Sequence, residues 1–251
     1  MSTPHTTPGN PLAGQRVVVM GGSSGIGEAS AVLFAADGAE VIITGRGQGR
    51  LDAAASRIGG KVTTYRLDAS DRPAVDAFFA ESGPIDHLVI ALSGAKGGGS
   101  FAELDLAELA EGFDGKFWPH ANTLQAALPT LRRDGSVTLV TAASARAALP
   151  GTAGLAAING ALEAMVPPLA VELAPLRVNA VSPGVVDTPW WDAVPAERRQ
   201  ALFDGFAAIT PVGRVGRPED IARAVHLLTA NDFVTGVVLE ATGGATLATG
   251  R

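Results

Sequence analysis

A glycine-rich loop between a β-branched run and a helix-like run constrains the fold of this chain more than any other feature. The run Arg16–Met20 leads into Gly-Gly-Ser-Ser-Gly-Ile-Gly at 21–27, and a helix-like segment follows from Glu28 to Asp37. Gly21 permits a sharp turn out of the strand, Gly25 lets backbone amides approach a ligand, and Gly27 lets helix and strand pack closely. The pattern predicts a pyrophosphate site at a helix N-terminus, formed by Gly21, Ser23, Ser24, Gly25, Ile26 and Gly27. A glycine-rich turn without a ligand is the alternative that this spacing alone leaves open.

The end of the second predicted strand distinguishes between two dinucleotides. The strand Ala39–Thr44 ends in Gly45-Arg46, with no acid to accept a hydrogen bond from a ribose 2′-hydroxyl. Arg46 would instead meet a 2′-phosphate, which a carboxylate would repel. The sequence therefore favours NADP(H) over NAD(H), and a solvated loop arginine is the alternative for Arg46.

Composition limits the classes of protein to consider. The chain has 251 residues, a net charge of −6 and no cysteine, which argues against general nucleic-acid affinity and excludes disulfides and thiolate metal sites. Residues 1–13 are predicted to form a flexible tail without the pattern of a signal peptide, and residues 14–251 a single domain. The uncharged stretch 147–162 is too short and too interrupted to predict a membrane span. We expect a cytoplasmic protein that binds neither nucleic acid nor membrane.

Strands and helices alternate along the whole chain, up to a last strand at Val237–Ala241. This order predicts an α/β fold, a Rossmann-like doubly wound parallel sheet of seven strands. A long helical region is expected from Phe101 to Arg133, and a helix from Thr152 to Leu173 with a kink or break near Val166 caused by Pro167-Pro168. A lid-like segment is expected at about 187–210.

Several separate motifs in the chain resemble those of the short-chain dehydrogenase/reductase family. They are the loop Gly21–Gly27, Leu67-Asp68, the segment Arg177–Gly184, the segment Arg217–Ile221, Thr235-Gly236 and Gly243-Gly244. The resemblance implies that Asp68 contacts the adenine and that Ser93 and Gly94 stand beside the adenine ribose. It also implies a nicotinamide-facing segment with Pro183, Gly184, Val186 and Thr188, and dimers or tetramers through the helices after the fourth and fifth strands.

The catalytic residues of that family do not carry over to this chain. The family pattern has a Tyr-x-x-x-Lys pair on the helix after the fifth strand and a serine thirteen residues before the tyrosine. These positions become Leu155, Asn159 and Ala142, and the chain has one tyrosine, Tyr65, on the third predicted strand. Proton transfer from a phenol at the nicotinamide is thereby excluded, while Asn159 is a neutral substitute that could hydrogen-bond the ribose hydroxyls.

Lys116 is the candidate replacement acid. It falls where the family has an asparagine on the helix after the fourth strand, within the largely apolar segment Phe113–Trp118. Burial lowers the pKa of a lysine and suits it to proton donation or iminium chemistry. The alternative is a lysine that reaches solvent or pairs with Asp114. His120, one turn further along, is a candidate proton relay.

Weaker candidates surround these residues. Arg146 could hold a substrate carboxylate beside Ser144, and Lys96 could bind a phosphate or an acidic substrate, although a solvated side chain is the alternative for each. Trp190 and Trp191 could form an apolar substrate wall or pack the lid against the core. No spacing of His with Asp or Glu suggests a metal site.

Three functions remain open from the sequence. The first is an NADP(H)-dependent oxidoreductase that acts on a small carbonyl or imine with a non-standard proton donor. The second is a catalytically silent NADP(H)-binding sensor or partner subunit. The third is a non-redox enzyme, such as an isomerase or a lyase, on the same scaffold.

Overall fold

The computed structural model describes residues 10–247, in which parallel strands alternate with helices. The strands are β1 Arg16–Met20, β2 Glu40–Gly45, β3 Lys61–Arg66, β4 Ile85–Ile90, β5 Leu131–Val140, β6 Arg177–Pro183 and β7 Val238–Ala241. The helices are α1 Gly25–Ala36, α2 Gln48–Ile58, α3 Arg72–Ser82, α4 Leu106–Gly115, α5 Phe117–Ala127, α6 Ala153–Glu172, α7 Ala196–Ile209 and α8 Pro218–Ala230.

The seven strands form one parallel sheet in the order β3-β2-β1-β4-β5-β6-β7. The chain builds the sheet outward from β1 to β3, returns, and continues from β4 on the other side of β1. Where the strand order reverses, between β1 and β4, the loops at the carboxyl ends diverge and leave a crevice, which is where open α/β sheets bind ligands. The predicted Rossmann-like, doubly wound, single-domain fold is therefore confirmed.

Both faces of the sheet are covered, as the alternation of side chains along β1 illustrates. Val18 and Met20 belong to one buried cluster, and Val17 and Val19 belong to the other. Successive strand residues point to opposite faces, so an uninterrupted apolar run indicates burial on both. Leu12 also belongs to the second cluster at 1% exposure, so the packed chain begins earlier than the predicted tail boundary at residue 13. Residues 1–9 lie outside the described residues.

The long helix expected over Phe101–Arg133 is wrong at both ends and in the middle. The structure has two helices, α4 and α5, separated at Lys116, and β5 already begins at Leu131. Pro119 has no N–H to bond the Gly115 carbonyl, so the helical ladder is interrupted one turn before it. Leu128 still has helical backbone angles, but Pro129 has no N–H to bond the Gln125 carbonyl, so the helical hydrogen bonds stop and α5 ends at Ala127.

The helix break expected near Val166 is also absent, because α6 is one continuous helix through Pro167 and Pro168. Both prolines are exposed, whereas Val166 and Ala170 are buried against the sheet. Packing of this apolar face outweighs the two missing backbone hydrogen bonds. The helix is also long and apolar enough by composition to span a membrane. Its packing beside β6 and α5 and its buried Glu163 identify it here as a helix of the sheet's outer layer.

Candidate active site

The glycine loop has the tight geometry that its spacing predicts. Gly21 and Gly25 have φ angles of 81° and 55°, in the region that side chains disfavour. A Cβ on Gly27 would lie 2.3 Å from the Gly21 carbonyl oxygen. Ser23, Ser24 and Ile26 stand in the same turn, and α1 begins at Gly25, so the amides of its first turn face the crevice.

Arg46 lies exposed directly after β2, where a 2′-phosphate reader was predicted. The structure adds Arg66, which sequence reasoning missed. Arg66 ends β3 opposite Gly45, and its Nε donates to the Arg46 carbonyl oxygen at 3.2 Å. Two exposed arginines therefore stand at the carboxyl ends of the neighbouring strands β2 and β3. The register of two parallel strands was the signal that could have found the second.

Asp68, the expected adenine contact, follows β3 and is exposed. Its Oδ1 accepts hydrogen bonds from the Ser70 amide at 3.0 Å and the Ser70 hydroxyl at 2.7 Å. These bonds hold the pKa of the Asp68 carboxyl below its usual range. Asp68 is therefore a fixed, ionised group at the β3 side of the crevice, and its contact with the adenine stays a prediction.

The expected nicotinamide-facing segment lies on the other side of the glycine loop. Pro183 ends β6 and Gly184 packs against the backbone of Thr242, while Val186 bridges to Gly216. A Cβ on Gly25 would lie 3.3 Å from the Thr188 methyl carbon. The segment 183–188 thus runs from the end of β6 back to the N-terminus of α1.

The two tryptophans begin the predicted lid. The Trp190 indole N–H donates to the Gly94 carbonyl at 3.0 Å, which links the lid to the loop after β4 that also contains Ser93. The Trp191 indole N–H donates to the Val186 carbonyl at 3.0 Å, and its ring packs edge-on against Phe203 of α7. Trp191 thus packs the lid together, whereas Trp190 spans the crevice and remains exposed.

Lys116 lies at the break between α4 and α5 and is turned inward. Its Nζ donates to the Thr141 carbonyl oxygen at 3.1 Å, at the carboxyl end of β5. The carboxylate that acts on its ammonium is Glu163 and not Asp114. Burial lowers the pKa of the Lys116 ammonium to about 8, although the charge of Glu163 opposes that effect. The side chain is half-buried, as expected for a partly desolvated lysine, and its catalytic role stays a prediction.

His120 lies one turn beyond Lys116 and is 1% exposed. Its Nδ1 donates to the Lys116 carbonyl oxygen at 2.8 Å, which leaves Nε2 as the unprotonated nitrogen, with no hydrogen-bond partner among residues 10–247. Burial, together with the charge of Lys116, lowers the pKa of His120 to about 3. His120 is therefore a neutral imidazole, and its relay role stays a prediction.

Glu163 is the site residue that sequence reasoning missed. It projects from α6 at 6% exposure, and its Oε1 accepts from the hydroxyls of Thr141 at 2.8 Å and Ser182 at 2.7 Å. Its Oε2 accepts from Arg146 Nε at 2.8 Å. An acid within an otherwise uncharged stretch from Ala147 to Val171 was the available signal.

The predicted substrate residue Arg146 is engaged by two carboxylates. Besides Glu163, its Nη1 lies 3.6 Å from Oε1 of Glu240, which belongs to β7. The hydrogen bond that Arg146 donates to Glu163 raises the pKa of Arg146, so its positive charge is permanent. Its role as a holder of a substrate carboxylate stays a prediction.

The three positions that the family resemblance assigns to the catalytic residues lie near one another. Ala142 follows β5, while Leu155 and Asn159 stand in the first two turns of α6. The Asn159 amide donates to the Leu155 carbonyl at 2.9 Å and to the Ser144 hydroxyl at 3.2 Å. Its Oδ1 is buried without a hydrogen-bond partner among the described residues. An acceptor left free in this way fits the predicted bond from a ribose hydroxyl.

Lys96 stands apart from this group, on the glycine-rich loop after β4. It is exposed and forms an ion pair with Glu111 of α4. That pairing competes with any role in binding an acidic ligand. Across residues 10–247, no group of three or more His, Asp or Glu side chains is placed to hold a metal ion.

The residues present fit a nicotinamide dinucleotide. The glycine loop leaves no room for side chains where a pyrophosphate would lie, two arginines stand at one end of the crevice, and the free Asn159 acceptor lies at the other. These features follow one another along the carboxyl edge of the sheet, where a dinucleotide binds in folds of this kind.

Comparison with known proteins agrees with this geometry. A family model described as Enoyl-(Acyl carrier protein) reductase matches residues 21–246. The short-chain dehydrogenase/reductase ATR9 of Stachybotrys chlorohalonatus is 30% identical over 94% of this chain and 98% of its own length. The 3-oxoacyl-(acyl-carrier-protein) reductase FabG of Thermotoga maritima is 30% identical over 93% of this chain and 98% of its own.

A solved structure described as a small-chain dehydrogenase in complex with NADPH is 31% identical, with a TM-score of 0.79, over 93% of this chain and 99% of that one. The fold, the crevice and these matches define the class of protein. The chain belongs to the short-chain dehydrogenase/reductase family, whose members among its relatives are oxidoreductases. Membership also supports a nicotinamide cofactor for this chain.

Proposed function

We propose that this protein is an NADP(H)-dependent oxidoreductase that reduces a small carbonyl or imine and takes its proton from Lys116. The observation that carries the proposal is the inward-turned Lys116 ammonium at the carboxyl end of β5, with a pKa of about 8. A general acid works best when its pKa lies near the working pH. The carbonyl reductase among the relatives supports the substrate class, and the NADPH complex supports the cofactor.

Each part of the chain has a separate task in this proposal. The amides of the glycine loop and α1 bind the pyrophosphate, Arg46 and Arg66 bind the 2′-phosphate, and Asn159 Oδ1 accepts from a ribose hydroxyl. When bound, the reduced nicotinamide supplies the hydride to the substrate carbon. Lys116 gives one proton to the substrate oxygen or nitrogen as the double-bond pair moves there, and solvent then reprotonates its amine.

Because this chain has no tyrosine at the family's tyrosine position, the proposed reaction needs a different acid. Tyr65 lies on β3, where its ring packs against Phe78, and β3 is the edge strand on the Arg46 side of the sheet. The Lys116 ammonium, at a pKa of about 8, is mostly protonated at pH 7 and can still release its proton. In this proposal, Lys116 therefore supplies the proton that the family's tyrosine would donate.

We also propose the ligand class, the oligomeric state and the cellular location that the sequence predicts. The protein acts on a small molecule, forms a homodimer or homotetramer, and works in the cytoplasm. Neither nucleic acid nor a membrane surface is among its proposed partners, given its net charge of −6.

The test is the variant Lys116→Met, with Lys61→Met as the matched control. Lys61 is exposed at the start of β3, at the opposite edge of the sheet. With NADPH and a panel of small ketones, aldehydes and cyclic imines, we expect Lys116→Met to lose about 10²- to 10⁴-fold in kcat. Its affinity for NADPH, followed by nicotinamide fluorescence, should stay within about twofold of the parent's, because general acid catalysis is lost without a change in cofactor contacts.

The pH dependence gives a second measurement. The acid must be protonated, so kcat should be constant below the pKa of Lys116 and fall about tenfold per pH unit above it, near pH 8. If the protein bound neither NADPH nor NADH, the oxidoreductase assignment would be overturned. Binding without turnover of any substrate in the panel would instead favour the silent sensor, and unchanged turnover in Lys116→Met would remove the lysine from the mechanism.

A further inference from the structure

Glu163 links four parts of the chain at the carboxyl edge of the sheet. From α6, its carboxylate reaches the end of β5 through Thr141, the end of β6 through Ser182 and the turn after β5 through Arg146. A carboxylate at 6% exposure is costly to bury unless its oxygens are hydrogen-bonded and its charge is compensated. All three bonds are 2.7–2.8 Å long, as charge-assisted bonds are.

Thr141 connects this carboxylate to Lys116. The side-chain hydroxyl of Thr141 donates to Glu163, and its backbone carbonyl accepts from Lys116 Nζ at 3.1 Å. Thr141 therefore hydrogen-bonds the acidic side chain through its hydroxyl and the basic side chain through its carbonyl. The negative charge of Glu163 also raises the pKa of Lys116, against the larger effect of burial.

The other charged and titratable groups around Lys116 and Glu163 do not duplicate this role. His120, from α5, is neutral, because its pKa is lowered to about 3. Arg146 is a cation that pairs with Glu163 on one side and with Glu240, from β7, on the other. Glu163 is thus the carboxylate that acts on Lys116 directly.

We propose that Glu163 is a positioning residue for Lys116: its buried carboxylate holds Thr141, whose carbonyl anchors the ammonium, and its charge keeps that ammonium protonated near neutral pH. Only the catalytic consequence rests on the proposed function. The electrostatic coupling between the two side chains exists whether or not Lys116 donates a proton to a substrate.

The experiment uses the fact that lysine occurs only at positions 61, 96 and 116. Protein labelled with ¹³C at lysine Cε gives three resonances, and Lys116→Met identifies the one from Lys116. We expect its titration midpoint near pH 8 in the parent and about one unit or more lower in Glu163→Gln, which keeps the shape and removes the charge. The Lys61 and Lys96 midpoints should not differ between the two proteins.

Two further variants separate charge from structure. Ser182→Ala removes a hydrogen bond to the same carboxylate oxygen but no charge, so it should shift the Lys116 midpoint much less than Glu163→Gln. Arg146→Gln removes the cation that pairs with Glu163 from a half-exposed position, which leaves the carboxylate charge uncompensated and should shift the Lys116 midpoint upward. The opposite signs in Glu163→Gln and Arg146→Gln are the signature of coupling, and Arg146→Gln tests the proposal even when Glu163→Gln does not fold.

An unchanged Lys116 midpoint in folded Glu163→Gln, or a downward shift in Arg146→Gln, would overturn the proposal. With turnover, the pH above which kcat falls should move down in Glu163→Gln by the same amount as the midpoint. If the midpoints shift as expected but no variant oxidises NADPH, the coupling stands and the proposed function fails. The two ideas are therefore tested separately.

Discussion

At the scale of the residue, the pair Arg46 and Arg66 shows how a phosphate site can depend on neighbouring strands. Arg46 is visible in sequence because it follows the second strand where an acid would serve NAD(H). Arg66 reaches it across the parallel register of β2 and β3. In the proposed cofactor complex, a 2′-phosphate would gain charge-assisted hydrogen bonds from these arginines that a hydroxyl would not.

We expect Arg46→Ala to weaken NADPH binding about 10- to 100-fold, the loss of one hydrogen bond to a charged group, roughly 1.5–3 kcal/mol. Binding of NADH should change less than about twofold, since it carries no 2′-phosphate. Fluorescence titration of both cofactors measures the ratio. The control is Arg133→Ala, an exposed arginine in the amino-terminal part of β5. Equal losses for NADPH and NADH would contradict this role of Arg46.

At the scale of the element, α6 shows tertiary packing overriding local preference. Pro167 and Pro168 leave the carbonyls of Glu163 and Ala164 without their intrahelical N–H partners, yet the helix continues to Glu172. Its inward face, with Ile158, Leu162 and Val166 at 2% exposure or less, packs in the domain. The helix therefore retains a local destabilisation that the packed face offsets.

Pro168→Ala restores one backbone N–H at a helical position and should raise the free energy of unfolding by roughly 1–2 kcal/mol. The matched control is Pro73→Ala in the first turn of α3, where the missing N–H has no intrahelical partner to lose. That control should gain nothing and lose up to about 1 kcal/mol, because alanine increases the entropy of the unfolded chain. Urea unfolding measures the free energy of unfolding of both variants. Equal changes in the two would contradict the conclusion that α6 retains a local destabilisation.

At the scale of the whole molecule, large apolar side chains remain exposed on the outer helices. Leu106 of α4 is 65% exposed, Trp118 of α5 is 53% exposed and Val171 of α6 is 80% exposed. These helices follow β4 and β5, where the family resemblance places subunit contacts. Apolar side chains grouped on such faces are typical of association between subunits.

Sedimentation velocity at micromolar concentration should therefore show a species of two or four chains. Trp118→Glu places a charge on the α5 face and should shift the population toward smaller species. Phe233→Glu, at a residue 96% exposed outside these helices, is the control and should leave the distribution unchanged. A parent protein that is monomeric at these concentrations would contradict the proposed oligomer.

Local signals in the sequence were sufficient for the fold, whereas the roles of the site residues stay predictions. The β-branched runs, the glycine loop and the alternation of strand and helix depend on the preferences of neighbouring residues, and each appears in the structure where the pattern predicts it. Lys116 was also recognisable, because a cation among aromatic residues must either reach solvent or lose its hydration. The same local view failed where competing preferences met, at the break between α4 and α5 and at the prolines of α6.

The sequence by itself determined the doubly wound sheet, the dinucleotide crevice and the identity of the unusual lysine, since all three follow from short-range pattern and residue chemistry. Only the tertiary structure decided what surrounds that lysine. Thr141 directly follows β5 and Ser182 lies near the end of β6, and the two come together because parallel strands end at one edge of the sheet, where Glu163 reaches them from α6. Burial and charge act through space over a few ångströms, so the protonation of Lys116 is a property of the folded molecule and of no segment alone.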